Sequence, residues 1–336
     1  MSLWFLLPVV FGSTLVLTWG LRSYALSRSL MDIPNARSSH SVPTPRGGGL
    51  AVVLVFLAIS PVIGYQGWLS WPLVIGLAGS GAWIAIIGFL DDHGHVAARW
   101  RLLAHFLGAG WFLVWLPALP SLAIFGTTFD LGFIGYVLAA VMLVWVLNLF
   151  NFMDGIDGIA SVEAITVCVV GALLYALIGV PALAATPLLL AASVAGFLVW
   201  NFPPAKIFMG DAGSGFLGIA LGGLTLQAAW AAPQLLWAWL ILLGVFVLDA
   251  TFTLLRRLLR GDKVFEAHRS HAYQYASREY GAHLPVTLAV LAINVLWLLP
   301  WACLVALGYI DGLLALLIAY LPLAFLAVRF RAGQLE

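Results

Sequence analysis

Charge is what this chain of 336 residues has least of. Asp, Glu, Lys and Arg together make up 9% of it, against 63% hydrophobic residues. Soluble domains carry about 25% charged residues, and a shortfall of this size leaves nothing to coat a water-facing exterior. The mean hydropathy of +1.06 agrees, so the chain is read as living in a bilayer. There is no basic excess either: the formal net charge is +1. That excludes nucleic-acid binding, which needs a surplus of several positive charges to follow a phosphate backbone. Cysteine is scarce. Cys168 and Cys303 stand in apolar runs without a CxxC or a suitably spaced His, which argues against a disulfide framework. No repeat of about 20 to 50 residues and no low-complexity tract is visible.

What is present in quantity is apolar sequence. A spanning helix needs ~20 mostly apolar residues. The chain holds about eleven such runs, near 3 to 21, 49 to 66, 72 to 90, 102 to 119, 132 to 150, 161 to 179, 183 to 201, 213 to 231, 234 to 255, 286 to 307 and 312 to 328. The expected fold is therefore all-α, a single polytopic transmembrane domain over residues 1–336. No basic residue precedes the first run and Arg22 and Arg28 follow it, so it reads as an uncleaved anchor with its N-terminus outside. Threading from that start gives N-out, C-in, and places the Lys and Arg in cytoplasmic loops. All fifteen comply. Arg22, Arg28, Arg37 and Arg46 share one loop, Arg99 and Arg101 another, and Lys206 a third. Arg256, Arg257, Arg260, Lys263, Arg269 and Arg278 share the longest, and Arg329 and Arg331 lie in the tail. Outside, Asp130 and Asp311 are the sole acids. The stretch Leu122 to Leu131 can make a short hairpin through Phe125-Gly126 or serve as a plain connector.

Polar groups at a membrane boundary are expensive, and nearly all of them fall in five inside segments, near 22–48, 91–101, 151–160, 202–212 and 256–285. The first, Asp32 to Gly49, carries Pro34, Asn35, Arg37, His40, Arg46 and three consecutive glycines. Such glycines admit close backbone approach to a ligand or to another helix. In the second, adjacent Asp91 and Asp92 are costly together unless a cation sits near them; acids at a helix end facing water are the plainer alternative. The third holds Asn148, Asn151, Asp154 and Asp157. Four oxygen-bearing side chains within ten residues suit Mg²⁺, although Asp-Gly turns explain the two aspartates cheaply. In the fourth, Lys206 and the glycines around Asp211 open a helix whose N-terminus can take a phosphate; Asp211 as a helix cap with packing glycines is equally open. The fifth offers His268, Arg269 and His271. No Cys or HExxH supports zinc there; phosphate contact fits better, and ordinary charge lying on anionic lipid is the alternative. Acids for a divalent cation and basic groups for phosphates, all on one face, point to phosphoryl transfer at the cytoplasmic interface.

The ordered motifs are Asp32-x-Pro34-Asn35-x-Arg37-x-x-His40, Gly47-Gly48, Asp91-Asp92, Asn148-x-x-Asn151-x-x-Asp154-Gly155-x-Asp157-Gly158, Lys206-x-x-x-Gly210-Asp211-x-Gly213-Ser214 and His268-Arg269-x-His271. Together they resemble the polyprenyl-phosphate N-acetylhexosamine-1-phosphate transferases of glycosyltransferase family 4, from residue 32 to about residue 281. The resemblance implies transfer of a sugar 1-phosphate from a UDP-sugar to undecaprenyl phosphate in a bacterial inner membrane, with release of UMP. The implied cofactor is Mg²⁺, with Mn²⁺ as the alternative, held by Asn151 and Asp211. Asp91 and Asp92 would lie at the metal and the lipid phosphate, one of them as a base. Asp157 would approach the uracil with Asp154 nearby, and His268, Arg269 and His271 would contact phosphates and sugar. Asn148, Lys206, Arg46, His40, Gly213 and Ser214 complete the expected substrate-binding set. The enzyme that makes lipid I has a lysine where this chain has His95 and three consecutive histidines where this chain has His268 and His271. The departure leans toward the O-antigen-initiating branch, whose donors include UDP-N-acetyl-6-deoxyhexoses. A transporter or flippase of polyprenyl-linked sugars is the competing class; it would show inverted repeats and ionisable groups near the bilayer midplane. A homodimer is compatible with all of this.

Overall fold

In the computed structural model the described residues are 2–34, 39 and 40, 42–94, 96–263 and 268–334. Asn35, Arg37, His95 and Glu266 lie outside them. The helices are α1 (Leu3–Ser27), α2 (Leu50–Tyr65), α3 (Trp71–His93), α4 (Ala98–Trp115), α5 (Gly132–Met153), α6 (Ile159–Leu177), α7 (Ala185–Asn201), α8 (Asp211–Ala231), α9 (Leu235–Leu242), α10 (Gly244–Leu259), α11 (Ala272–Tyr280), α12 (Leu284–Ile293), α13 (Leu299–Ala306) and α14 (Gly312–Arg329). Each of the eleven apolar runs contains helix, and the protein is an all-α polytopic membrane protein. Among the described residues, eight helices are long and apolar enough to cross a membrane, and α9 with α10, bent by 73°, would make a ninth. The α2 helix is apolar but shorter, and α4 opens on Arg99 and Arg101. In the stretch from 286 to 307, α12 passes into α13 through a π-helical turn, Asn294–Leu298. There Asn294 donates to Glu163 Oε2 at 2.7 Å, a buried acid that the sequence reading passed over.

Several loops are shorter than expected, because helices continue beyond the apolar runs. The α1 helix extends to Ser27 and α3 to His93, so Asp91 and Asp92 sit on a helix rather than in a loop. Part of the expected 256–285 loop is the amphipathic helix α11.

The α8 helix is the axis of the bundle, and its spanning window is wholly buried. Its small residues explain how. A Cβ on Gly218 would come within 2.5 Å of Leu147 Cα in α5. On the other side Phe216 covers Gly81 of α3, where an added Cβ would meet the ring at 2.7 Å. Close approach through small residues replaces hydrophobic driving force inside a bilayer.

Two short ladders fix the ends. β3 (Leu122–Ile124) and β4 (Thr127–Phe129) pair antiparallel across Phe125-Gly126, both at positive φ (47° and 75°), so the hairpin forms. It is tied down by Phe125 N–H donating to Asp311 at 2.6 Å. At the opposite end β1 (Met31–Asp32) pairs with β2 (Thr44–Pro45), a ladder with no clear signature in sequence. Basic residues gather at this second end. Arg22 donates to the Lys206 carbonyl, Arg46 pairs with Asp92 and Asp211, Arg101 with Asp91, and Arg329 with Glu279.

Candidate active site

The β1–β2 ladder delivers the next residue, Arg46, onto the start of α8. Gly48 and Gly49 N–H donate to the Phe208 and Met209 carbonyls at 2.9 Å each, and Phe208 N–H donates to the Pro45 carbonyl at 2.8 Å. This pairing needs bare backbone: a Cβ on Gly49 would meet Met209 and Gly213 at 2.6 to 2.7 Å. Gly213 therefore packs on Gly49 and is absent from the cavity wall.

Arg46 Nη2 lies 2.6 Å from Asp92 Oδ1 and 3.0 Å from Asp211 Oδ1. Asp92 in turn accepts from the amides of Asp211 at 3.0 Å and Ala212 at 3.3 Å. The neighbouring Asp91 is bonded to Arg101 and to the Val96 amide, and its carboxyl also meets that of Asp211. The cation demanded by two adjacent acids is thus two different arginines. Burial alone would weaken the Arg46 charge, but Asp211, Asp92 and Asp32 outweigh it and raise its pKa above the ordinary guanidinium value.

Below Arg46 opens a polar cavity of about 220 Å³. Its wall includes His40, Arg46, Asn151, Asp154, Asp157 and Asp211, so six expected site residues from three separate segments converge. Asn151 accepts from Ser214 Oγ at 2.6 Å, which gives Ser214 an orienting place beside the cavity. Asp154, just past the end of α5, is held well above the usual carboxylate range by burial and then by the Asp211 charge. Asn201 braces the wall, accepting from Gly158 N–H and donating to the Ile207 carbonyl, both at 3.0 Å.

Other expected residues stand elsewhere. Asn148 donates to the Val144 carbonyl of its own helix. The Lys206 ammonium lies 5.5 Å from the Trp200 ring centroid instead of reaching the cavity. His268 and His271 form a second cluster around Asp249, their rings stacked at 4.9 Å. Burial, then the neighbouring His271, depresses the His268 pKa to about 3. Arg269 accepts from Arg278 Nη1 through its carbonyl, and like both histidines it is absent from the cavity wall. Gln274 of α11 reaches the wall in their place.

Three residues in or near the site were given no site role by the sequence, although Asp249 was noted near the inner end of its span. Asp249 Oδ1 accepts from the Ala272 amide at 3.0 Å and lies 3.3 Å from His271 Nδ1, while Oδ2 accepts from the Tyr273 amide at 3.1 Å. It caps α11 from within α10, and an acid in an apolar run was the available signal. Phe208 lines the cavity beside His40, its ring edge-on at 4.8 Å. His283 lies 3.1 Å from Asp157 Oδ1, and no motif marks it.

The sequence profile of glycosyl transferase family 4 matches residues 74–229. Over those residues the chain is similar to that family. A probable undecaprenyl-phosphate N-acetylglucosaminyl 1-phosphate transferase of Bacillus subtilis is 28% identical over 269 residues, covering 78% of this chain and 73% of the relative. The decaprenyl-phosphate N-acetylglucosaminephosphotransferase of Mycobacterium leprae is 28% identical over 295 residues, with 76% and 72% covered. The phospho-N-acetylmuramoyl-pentapeptide-transferase of Streptococcus thermophilus is 29% identical over 256 residues, with 71% and 69% covered. The family 4 match contains Asp91, Asp92, Asn151, Asp154, Asp157 and Asp211. Arg46 and His283, which also line the cavity, lie outside it, as does Asp249.

The oxygen donors of the cavity suit a hard cation: the Asp211 carboxylate and the Asn151 carboxamide, with Asp92 and Asp154 close by and Arg46 the basic group between them. Among the described residues no group of three His, Cys, Asp or Glu side chains is gathered in metal-binding geometry. A cation held by Asp211 and Asn151 would take its remaining ligands from phosphate oxygens or water.

Proposed function

We propose that this protein transfers an N-acetylhexosamine 1-phosphate from a UDP-sugar to undecaprenyl phosphate on the cytoplasmic face of a bacterial inner membrane, releasing UMP and initiating O-antigen or lipopolysaccharide glycan synthesis. The convergence of Arg46, Asn151, Asp154, Asp157 and Asp211 on one cavity at the basic end of the bundle carries this reading. The names of the relatives support the polyprenyl-phosphate acceptor and the amino-sugar phosphate. An oxygen of the lipid phosphate attacks the sugar-bearing phosphorus of the donor, the bond to UMP breaks, and one phosphoanhydride replaces another. Positioning two polyanions and neutralising them is therefore most of the catalytic task. Mg²⁺, or Mn²⁺ in its place, would be held by Asp211 and Asn151 and would supply charge neutralisation at the diphosphate. Arg46, held by Asp92 and Asp211, brings a fixed positive charge to the same place. Asp157 would receive an N–H of the nucleobase, and Asp91, paired with Arg101, would act beside Asp211.

The departures at His95 and in the His268–His271 stretch favour a 6-deoxy donor such as UDP-N-acetylfucosamine or UDP-N-acetylquinovosamine. The names of the relatives favour UDP-N-acetylglucosamine as the second reading. UMP release from membranes given undecaprenyl phosphate and each donor tests both. A higher kcat/KM for the 6-deoxy donors supports the first and a preference for UDP-N-acetylglucosamine the second, while no release from any donor refutes the reaction. Since a pocket rejects an added hydroxyl by only ~10²-fold, leakage between donors should be measurable.

A further inference from the structure

Behind the catalytic cavity lies a second one of about 560 Å³, and the two share Ser39, His40, Asp157, Phe208 and His283. These five residues are the wall between them. His283 is its keystone. Nε2 of the ring lies 2.9 Å from the Ser39 carbonyl, and Nδ1 lies 3.1 Å from Asp157 Oδ1. A carbonyl and a carboxylate only accept hydrogen bonds, so the ring serves both only when both nitrogens carry protons; with Nδ1 bare it accepts from the Asp157 amide instead. The other Asp157 oxygen accepts from the Ala205 amide at 3.0 Å, and the Asp157 carbonyl accepts from Thr287 Oγ1 at 2.8 Å. The ring thus ties the first loop, the turn after α5 and the start of α12 into one partition.

We infer that His283 is a positioning residue that works as an imidazolium, aiming the Asp157 carboxylate into the catalytic cavity and strapping the Ser39 turn over it, so that donor binding weakens when the ring loses its proton. The inference rests on the nucleotide-sugar reading above. Without its proton Nδ1 would point a lone pair at Oδ1. The ring then takes the Asp157 amide, already 3.3 Å away, and leaves the carboxylate with one backbone donor. The groups facing this ring and its partner are few. Asp32 and His40 come from the first loop, Arg278 from α11 and Asp154 from the turn itself. Burial holds Asp154 well above the usual carboxylate range, and Asp157 is the carboxylate that meets the ring. Burial lowers the His283 pKa, but the hydrogen bond and charge of Asp157 and the Ser39 carbonyl more than offset it, and the net direction is upward. The stabilisation from a raised histidine pKa is complete below the unfolded value, about 6.5, and is lost as pH rises through the folded value.

The test compares wild type, His283→Gln and Asp157→Asn from mildly acidic to alkaline pH, by thermal unfolding without substrate and by KM and kcat with UDP-N-acetylglucosamine and undecaprenyl phosphate. Wild-type melting temperature should fall from about pH 6.5 upward relative to both variants, which should lack that component. Wild-type KM should rise about tenfold over the same range at constant kcat, the size of one charge-assisted hydrogen bond. In His283→Gln it should start about as high and stay flat. Variants that keep the wild-type profiles, or a loss confined to kcat, overturn the inference. Diverging melting profiles in a protein that turns over no UDP-sugar would support the charged wall and refute the proposed reaction, so the two can fail separately.

Discussion

The carboxylate of Asp92, on α3, caps the helix that Asp211 begins: its two oxygens receive the amides of Asp211 and Ala212 at 3.0 and 3.3 Å. The first turn of α8 is thereby satisfied by a side chain from another helix, while the Asp211 carboxylate stays at the cavity. Asp92→Asn should keep one of these bonds and Asp92→Ala neither. A lost cap costs ~1 kcal/mol, so the alanine variant should melt lower than the asparagine one. Equal melting temperatures would remove the cap from the argument.

Gly88 is where α3 crosses that first turn. A Cβ there would lie 2.5 Å from the Ala212 nitrogen and the Asp211 carbonyl, all backbone atoms that cannot swing aside. Gly88→Ala should displace Asp211 and cut turnover by ~10²-fold or more while the protein still inserts, as judged by membrane yield. Near-normal turnover would show that the entry to α8 tolerates movement.

Asp154 is predicted to trade stability for function. A buried carboxyl with a raised pKa keeps its proton when folded and releases it when unfolded, so it removes stability as pH climbs from about 3.9 through the folded value. Asp154→Asn should therefore raise the melting temperature of the metal-free protein at neutral pH and abolish turnover. Unfolding scans with EDTA at two pH values, beside a UMP-release assay, check both halves.

Asp249→Ala removes the acceptor shared by the Ala272 and Tyr273 amides and His271. Stranding buried donors costs about 1–3 kcal/mol each. Proteolysis should then cut near α11 far faster than in wild type, and Asp249→Asn should fall between. Identical cleavage rates in all three proteins would contradict the capping role.

Single cysteines at Ser39 and Thr128, without Cys168 and Cys303, report sidedness. An impermeant thiol reagent added to intact cells should modify position 128 and spare 39; the reverse pattern would put the cavity outside.

The apolar runs and the gathering of positive charge at one end were legible because each is a property of many residues at once. The Leu122–Leu131 hairpin was legible as one of two options. Motif spacing brought Asn151, Asp154, Asp157 and Asp211 to a common place, but it could not tell the duties of adjacent residues apart. Asp91 and Asp92 read as one pair, yet they face different arginines because successive side chains on a helix point about 100° apart. Lys206 was expected at a phosphate for its charge alone, and its position beside Trp200 depends on how α7 packs against α1. His283 carries no local pattern at all; only the meeting of three distant segments gives it a partner.

The bonds from Pro45, Gly48 and Gly49 to Phe208 and Met209 have a mechanical consequence. They weld the loop bearing Arg46 to the segment leading into Asp211, so the arginine and the acid move as one piece anchored to the buried axis of the bundle. The catalytic mouth accordingly has one stiff jaw. The opposite jaw, lined by Ser39, His283 and Gln274 of α11, is held instead by side-chain bonds such as those His283 makes to Ser39 and Asp157.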